Sequence, residues 1–272
     1  MRNILPKAQA KNANLALQWG LSENVYADAN MFMWQHGGDD YAPDLKSSGY
    51  DSPESIKAFK EYVEFYTKHN IPKEVPFFQA FSNGELFYML QYQNTYTSLR
   101  SAAPQIAGNW SMVEDPGVYR DNKLVRTASA GGAALTIFEK SPMKKEAWNF
   151  IKWMTDEKVQ AEFSRKVMAT IPGSIFVPAN RNAVLNLDMP KEDLLLMQRA
   201  LDEGSASVYG LVAPRLRRRY LQFATQEAVL EGIDPEVAIR KAAAEHNAEI
   251  KKKEIEYSRF ISNLLKQQQK NK

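Results

Sequence analysis

The sequence predicts a helix-rich α/β fold. Apolar residues recur at helical spacing in three long parts of the chain, and short apolar runs between them have the character of strands. Strands that are separated by helical stretches favour an α/β architecture. The chain has 272 residues, of which 44% are hydrophobic and 25% are charged. This composition is typical of a globular protein with one large or two modest domains.

The first helix is predicted to begin after Ser52. The Ser52 side chain can accept hydrogen bonds from the first N–H groups of the helix, and Pro53 suits the first helical position because it lacks an N–H group. Asn70 and Pro72 are expected to end the helix. Its apolar face carries Ile56, Phe59, Tyr62, Val63 and Tyr66.

Strands are predicted from three short apolar runs. Residues 85–90 (ELFYML) are apolar on both faces, as in a strand buried within a sheet. Residues 110–114 (WSMVE) and 133–138 (AALTIF) are the other candidates. These runs lie between the helical segments, as the α/β prediction requires.

Two consecutive helices are predicted after the last strand. Ser141 and Pro142 repeat the start signal of the first helix, and apolar residues follow at helical spacing through Met154. Thr155 and Asp156 are expected to form the cap and first turn of the next helix.

The last part of the chain is predicted to hold two long helices. One begins after Pro214 and ends at Gly232. The other has Asp234 as its cap and Pro235 at its first position, and it is expected to exceed 25 residues. Its charged faces favour a surface helix over a coiled coil because no heptad repeat is sustained.

Several classes of site and segment are excluded by composition. The chain has no cysteine, which rules out disulfides, thiolate metal ligands and a cysteine nucleophile. The first twenty residues contain no apolar region of the kind found in signal peptides. No apolar run approaches the roughly 20 residues that a membrane-spanning helix needs.

Enzymatic motifs are not found. His36 lies close to Asp39 and Asp40, but this pattern is more typical of a helix end followed by a turn than of a metal site. There is no HExxH motif, no G-x-S-x-G elbow and no P-loop. The paired glycines of residues 129–135 (SAGGAAL) favour a tight approach into a strand over phosphate binding. The sequence therefore predicts no catalytic residue, no metal ligand and no cofactor.

A basic cluster and several aromatic residues are the remaining candidates for binding. Residues 215–220 (RLRRRY) could attract phosphates, but the 32 acidic residues of the chain make nucleic acid the least favoured partner. The alternatives are a solvated helix face, sugar or anion binding, and contact with a partner. Asn94 and Tyr96 follow the strand at 85–90, and Tyr209 lies in the loop GSASVYGLVAP. Such aromatic and amide groups can stack on and hydrogen-bond a sugar in a cleft.

The order of three segments resembles family 1 extracellular solute-binding proteins, the maltose-binding-protein-like sugar receptors of ABC importers. The segments are WQHGGDDYAPDLKSSGYDSPESIKAFKEYVEFYTKHNIP, AFSNGELFYML and ASAGGAALTIFEKSPMKKEAWNFIKWMTDEKVQAEFSRKVMATIPG. The closing YLQFATQEAVLEGIDPEVAIRKAAAEHNAEI is similar to the last helices of that family. The resemblance covers roughly residues 26–249.

The resemblance implies a type II periplasmic-binding-protein-like fold, with two lobes around a cleft. This chain resembles the C-terminal part, with an incomplete N-terminal lobe. Residues 1–112 are expected in the C-terminal lobe, residues 113–180 are expected to add a strand and helices to the N-terminal lobe, and residues 181–272 are expected to return with the C-terminal helices. The strand at 133–138 would then have an unpaired edge, and its helices would expose an apolar face.

The resemblance also implies which residues bind a ligand. Asn94 stands where the family often has a tryptophan. The implied residues are Tyr26, Asn94, Tyr96, Tyr209, Arg215, Arg219 and Tyr220.

The function implied is non-enzymatic binding of an oligosaccharide for import by an ABC permease, in an extracellular or periplasmic, membrane-associated setting. The membrane would be reached only through an anchor that this chain lacks, and weak or no binding is expected if most of one lobe is missing. We hypothesise an acidic sugar because the arginines at 215 and 217–219 lie beside Tyr209, and guanidinium groups match carboxylates. The alternatives are a carbohydrate hydrolase that uses two carboxylates, such as Glu85 or Asp115, and a ligand-sensing module for a membrane sensor.

Overall fold

A computed structural model describes residues 3–17, 25–130, 134–171, 174–204 and 210–270, with backbone alone for residues 25–28, 94 and 264–270. Helices dominate these ranges. The helices are α1 Leu5–Gln9, α2 Val25–His36, α3 Pro53–Thr67, α4 Phe77–Ser82, α5 Asn94–Ala102, α6 Lys144–Met154, α7 Glu157–Thr170, α8 Arg181–Val184, α9 Lys191–Glu203, α10 Pro214–Leu230 and α11 Pro235–Lys270. The strands are β1 Asn14–Ala16, β2 Leu86–Met89, β3 Val118–Arg120 and β4 Lys123–Val125.

The main core lies among α2, α3, α10 and α11. Phe59 and Tyr62 of α3, Leu221 of α10 and Ile239 of α11 have no exposed surface, and they belong to one continuous apolar cluster. The Ser52 side chain accepts a hydrogen bond from the Ser55 N–H group, 3.1 Å away. The predicted first helix is therefore confirmed, together with its cap and its apolar face.

The predicted strand at 85–90 is confirmed as β2, and its partner is β1. The two strands are parallel, with Leu15 opposite Tyr88 and Ala16 opposite Met89. Helix α4 covers them through Ala80. Strand β1 was not predicted, because three residues are too few to show a period.

A hairpin of β3 and β4 lies at the end of α2. Its turn residues, Asp121 and Asn122, both have positive φ angles of 51° and 61°, which Asp and Asn tolerate better than most residues. Arg120 Nη1 donates to the Trp34 carbonyl at 3.3 Å, and Gln35 Nε2 donates to the Pro116 carbonyl at 2.9 Å. The hairpin is thus fastened to the last turn of α2.

The two other predicted strands are wrong in the described residues. Neither residues 110–114 nor residues 134–138 form strand pairs. A short apolar run becomes a strand only when another backbone offers its N–H and C=O groups, and no described neighbour does so here.

The predicted starts of the two middle helices need small corrections. Helix α6 begins at Lys144 rather than at Ser141 and Pro142, because the Ser141 side chain accepts a hydrogen bond from Met143 N in a turn before the helix. Asp156, not Thr155, caps α7, and its carboxylate accepts hydrogen bonds from two N–H groups of the first turn.

The last two helices follow the prediction. Gly232 has a φ angle of +73° and lies just after the end of α10, where a left-handed residue favours glycine. Asp234 Oδ1 accepts hydrogen bonds from Glu236 N at 2.9 Å and Val237 N at 3.1 Å, and α11 then continues for 36 residues. Within the described ranges, none of the helices combines the length and the apolar character needed to cross a bilayer.

Candidate functional site

An open groove lies where α5, α7 and the segment before α9 meet. Its volume is about 760 Å³, within the range of small-molecule sites. Helix α5 contributes one wall, the C-terminal half of α7 contributes another, and the chain between α8 and α9 contributes the third. The lining residues are Tyr96, Thr97, Arg100, Ser101, Arg165, Met168, Ala169, Ser174, Asn186, Leu187, Asp188 and Met189.

The lining combines apolar surface with hydrogen-bonding groups. Met168, Leu187 and Met189 are apolar, while Ser101 and Asn186 carry a hydroxyl and an amide. A ligand with both C–H faces and hydroxyl groups finds complementary surfaces in such a groove.

Two guanidinium groups line the groove from different helices. Arg100 lies over the ring of Tyr96, with its Cζ atom 5.7 Å from the ring centroid, and its Nη1 is 3.5 Å from the Tyr96 hydroxyl. Arg165 donates from Nε to the Ala161 carbonyl of its own helix at 3.3 Å. Both side chains are exposed, and the described residues place no carboxylate within salt-bridge distance of either.

Among the predicted ligand residues whose side chains are described, Tyr96 lines this groove. Its side chain is only 7% exposed, its ring meets Trp110 edge to face at 5.4 Å, and its hydroxyl donates to the Asp193 carboxylate. Burial, with the adjacent Asp193 carboxylate, raises the pKa of Tyr96 to about 12. The ring is therefore a neutral part of the groove wall, with little surface left for stacking.

The arginine cluster of α10 is divided by the fold. Arg217 is fully buried and forms an ion pair with Asp40, whose side chain is also fully buried. Its guanidinium lies 5.2 Å from the ring centroid of Tyr41. Arg217, which was part of the motive for an acidic ligand, is thus engaged inside the protein.

Because Arg217 faces the interior, the arginines two positions before and after it face the solvent. Residues two positions away on a helix are rotated by about 200°, so Arg215 and Arg219 both lie on the opposite side of α10 and are exposed. Tyr220 is half-buried and packs against the main core, with its ring 6.2 Å from that of His246. None of these three lines the groove.

The remaining predicted ligand residues are described only in part or not at all. Tyr26 is in the first turn of α2 and Asn94 is the first residue of α5, but their side chains lie outside the described atoms. Tyr209 lies outside the described residues.

Arg100 and Arg165 were missed in the sequence analysis, although one of them had a detectable signal. Arg100 follows Tyr96 by four residues, so both lie on one face of any helix that contains them. Arg165 has no such signal, because its approach to α5 depends on the fold.

The residues considered for catalysis and metal binding have different surroundings. The His36 ring is near the Phe32 carbonyl and the Glu61 carboxylate, Glu85 is exposed, and burial raises the pKa of Asp115. Among the described residues, no group of three or more His, Asp or Glu side chains is arranged to hold a metal ion.

Comparison with models of protein families identifies the family of this chain. A model of the family described as bacterial extracellular solute-binding protein matches residues 5–186. The chain belongs to this family. A search among curated proteins by sequence gave no match.

Solved structures of sugar-binding receptors share the fold. The sugar-binding protein MalE of Xanthomonas citri has a TM-score of 0.74 at 21% identity, over 95% of this chain and 62% of that one. An ABC transporter solute-binding protein of Thermotoga lettingae, bound with alpha-D-tagatose, has a TM-score of 0.67 at 21% identity, over 89% and 61%. Maltose-bound T. maritima MalE3 has a TM-score of 0.62 at 22% identity, over 88% and 61%. The fold is therefore periplasmic-binding-protein-like, and the chain spans about three fifths of the length of these relatives.

Proposed function

We propose that this chain is the ligand-binding part of an extracellular or periplasmic receptor that captures an oligosaccharide, without chemical change, for an ABC permease. The observation that carries the proposal is the groove of about 760 Å³ in a chain of the solute-binding family. MalE of Xanthomonas citri is a sugar-binding protein by its title, and we extend sugar binding to this chain as part of the proposal.

The position of the groove supports a cleft between two lobes. Helix α5 comes from residues 1–112, α7 from residues 113–180, and the third wall from residues 181–272. We propose that the first and last of these segments form one lobe and that the middle segment belongs to the other. A ligand between them would favour closure by the difference in its affinity for the closed and open states, and the permease would bind the closed form.

Exposed aromatic residues on and beside α6 support the assignment of residues 113–180 to a second lobe. No residue of α6 is buried, and Trp148, Phe150 and Trp153 are each more than half exposed. Phe138, just before α6, is 83% exposed. Aromatic residues on one short helix are usually covered, and we propose that further parts of that lobe cover them in the receptor.

The residues that we propose for ligand contact differ in their support. Tyr96 is best supported, because it lines the groove. The exposure of Arg215 and Arg219 on α10 is consistent with contact to an acidic sugar, although Arg217 is engaged with Asp40. The other proposed residues are Tyr26, Asn94, Tyr209 and Tyr220.

A nuclear magnetic resonance titration of the ¹⁵N-labelled 272-residue chain tests the proposal. Maltose and maltotriose are added to tens of millimolar, because weak binding is expected from a chain that spans about three fifths of the length of its relatives. We expect shifts of amide resonances in α5 and in α7, with a larger response to the longer sugar. Absence of any shift with both sugars would contradict sugar binding. Release of glucose during the titration would instead favour a hydrolase.

A further inference from the structure

We infer that the groove between α5 and α7 recognises a carboxylate group on its ligand, held between the guanidinium groups of Arg100 and Arg165. This inference rests on the proposed function and names the class of solute as an acidic sugar, such as a uronate. It assigns the carboxylate to the groove rather than to the arginines of α10.

Neither Arg100 nor Arg165 has a carboxylate within salt-bridge distance in the described part of the chain. Five other described arginines do form ion pairs with carboxylates. The pairs are Arg126–Glu114, Arg199–Glu114, Arg181–Asp202, Arg217–Asp40 and Arg240–Glu236. The groove thus carries two exposed guanidinium groups, neither of them in an ion pair with a described carboxylate.

Both arginine side chains contact other groups of the protein. The ring of Tyr96 supports the Arg100 guanidinium, and the hydroxyl of Tyr96 is kept in place by the Asp193 carboxylate. Arg165 uses Nε for the carbonyl of Ala161, which leaves its two terminal nitrogens for a ligand. Planar guanidinium groups that are fixed in this way bind carboxylates with less loss of side-chain entropy.

The rest of the described lining offers hydrogen-bonding groups. Asp188 is the carboxylate among the described lining residues, while Asp193 contacts the Tyr96 hydroxyl. The pKa of Glu162 in α7 is lowered by Lys166 and also by the nearby Arg165 charge. Asp188, Asn186 and Ser101 are suited to hydrogen bonds with the hydroxyl groups of a sugar. A uronate carries a carboxylate and several hydroxyl groups, and therefore matches both parts of this lining.

The test compares D-galacturonate with D-galactose, which differ only at carbon 6. The full ¹⁵N-labelled chain is titrated with each sugar, and dissociation constants are obtained from amide shifts in α5 and α7. The variants Arg100→Gln and Arg165→Gln are expected to raise the galacturonate constant about fivefold each, the upper range for exposed ion pairs. Galactose binding should change less than twofold.

Three control variants test whether the effect is specific to the two groove arginines and whether it depends on their charge. Arg259→Gln removes an exposed arginine of α11 outside the groove and should leave both sugars unaffected. Arg215→Gln with Arg219→Gln tests the rival arginines of α10. Arg100→Lys retains the charge and should recover part of the loss, while thermal melting shows whether each variant is folded.

The outcomes separate this inference from the proposed function. Equal affinity for galacturonate and galactose would overturn the inference and leave sugar binding intact. Loss of the galacturonate preference only in the α10 variants would place the carboxylate elsewhere and also overturn it. If neither the neutral nor the acidic sugar shifted any resonance of the groove, the inference and the proposed function would both fail.

Discussion

Asp40 and Arg217 form an ion pair in which neither side chain has any exposed surface. The pair joins the loop after α2 to the first turn of α10, across 177 positions of the sequence. Asn30 Nδ2 and the Tyr50 hydroxyl each donate to Asp40 Oδ1 at 3.0 Å. The carboxylate is thus satisfied from several elements, and Arg217 lies on the buried side of α10 together with Leu221.

Replacing Arg217 with methionine is expected to destabilise the chain strongly. The substitution leaves the Asp40 carboxylate buried without its counter-charge, which costs about 3–5 kcal/mol in the free energy of unfolding. Urea denaturation followed by circular dichroism measures the change. Arg215→Met, on the exposed side of the same helix, should change that free energy by about 0.5 kcal/mol or less. Equal effects of the two substitutions would contradict the role of the ion pair.

Gly210 is expected to tolerate no side chain because of Tyr41. A Cβ atom at Gly210 would lie 2.2 Å from the Tyr41 ring, and the Tyr41 oxygen accepts a hydrogen bond from Val212 N at 3.0 Å. Gly210→Ala should lower the free energy of unfolding by about 1–3 kcal/mol, as overpacking does. The loss should be smaller in a Tyr41→Val background, where space is available. An equal loss in both backgrounds, measured by denaturation, would exclude the contact as its cause.

His246 is expected to make the stability of the chain depend on pH. Burial lowers the pKa of His246 to about 4, with a further lowering by the Arg217 charge and an opposing effect of Asp40. The usual pKa of histidine is about 6.5, so the folded state resists protonation. The stabilisation is therefore complete above pH 6.5 and is lost as the pH falls from 6.5 towards 4. The loss is on the order of 3 kcal/mol.

Replacing His246 separates its contribution to the pH dependence of stability from the contributions of other titratable groups. Burial raises the pKa values of Asp39 and Asp115, which stabilises the folded state towards acid and opposes the histidine. His246→Phe leaves those carboxyl groups in place and keeps a ring against Tyr41, which lies 4.8 Å away. Denaturation at pH 7 and pH 4.5 should show a smaller drop for the variant than for the parent chain. Parallel curves would rule out His246 as the titrating group.

The exposed aromatic residues of α6 are expected to cause self-association of the isolated chain. Trp148 and Trp153 are 55% exposed, and Phe150 is 54% exposed. Trp148→Lys combined with Trp153→Lys should reduce association in sedimentation velocity experiments, with a change of about 0.5 kcal/mol or less in the free energy of unfolding. Phe223→Lys, at a 47% exposed position of α10, serves as the matched control. Association that responded equally to both changes would contradict a specific role of α6.

The sequence by itself determined the parts of the fold that depend on neighbouring residues. The Ser52 and Asp234 caps, the helices that follow them and the strand β2 were all predictable, because capping and periodicity act within a few residues. The approach of Arg100 to Tyr96 follows from the same local spacing.

Only the tertiary structure decided which groups are paired, buried or brought together. Residues 110–114 have the composition of a strand but pair with no strand in the described part of the chain, while the three-residue β1 pairs with β2. Arg217 cannot be distinguished from the neighbouring arginines by local sequence, yet its side chain is buried in an ion pair with Asp40. Arg100 and Arg165 share a groove although 65 positions separate them. Backbone pairing, burial and charge pairing all depend on groups that are distant in the chain. They therefore cannot be predicted from the local sequence.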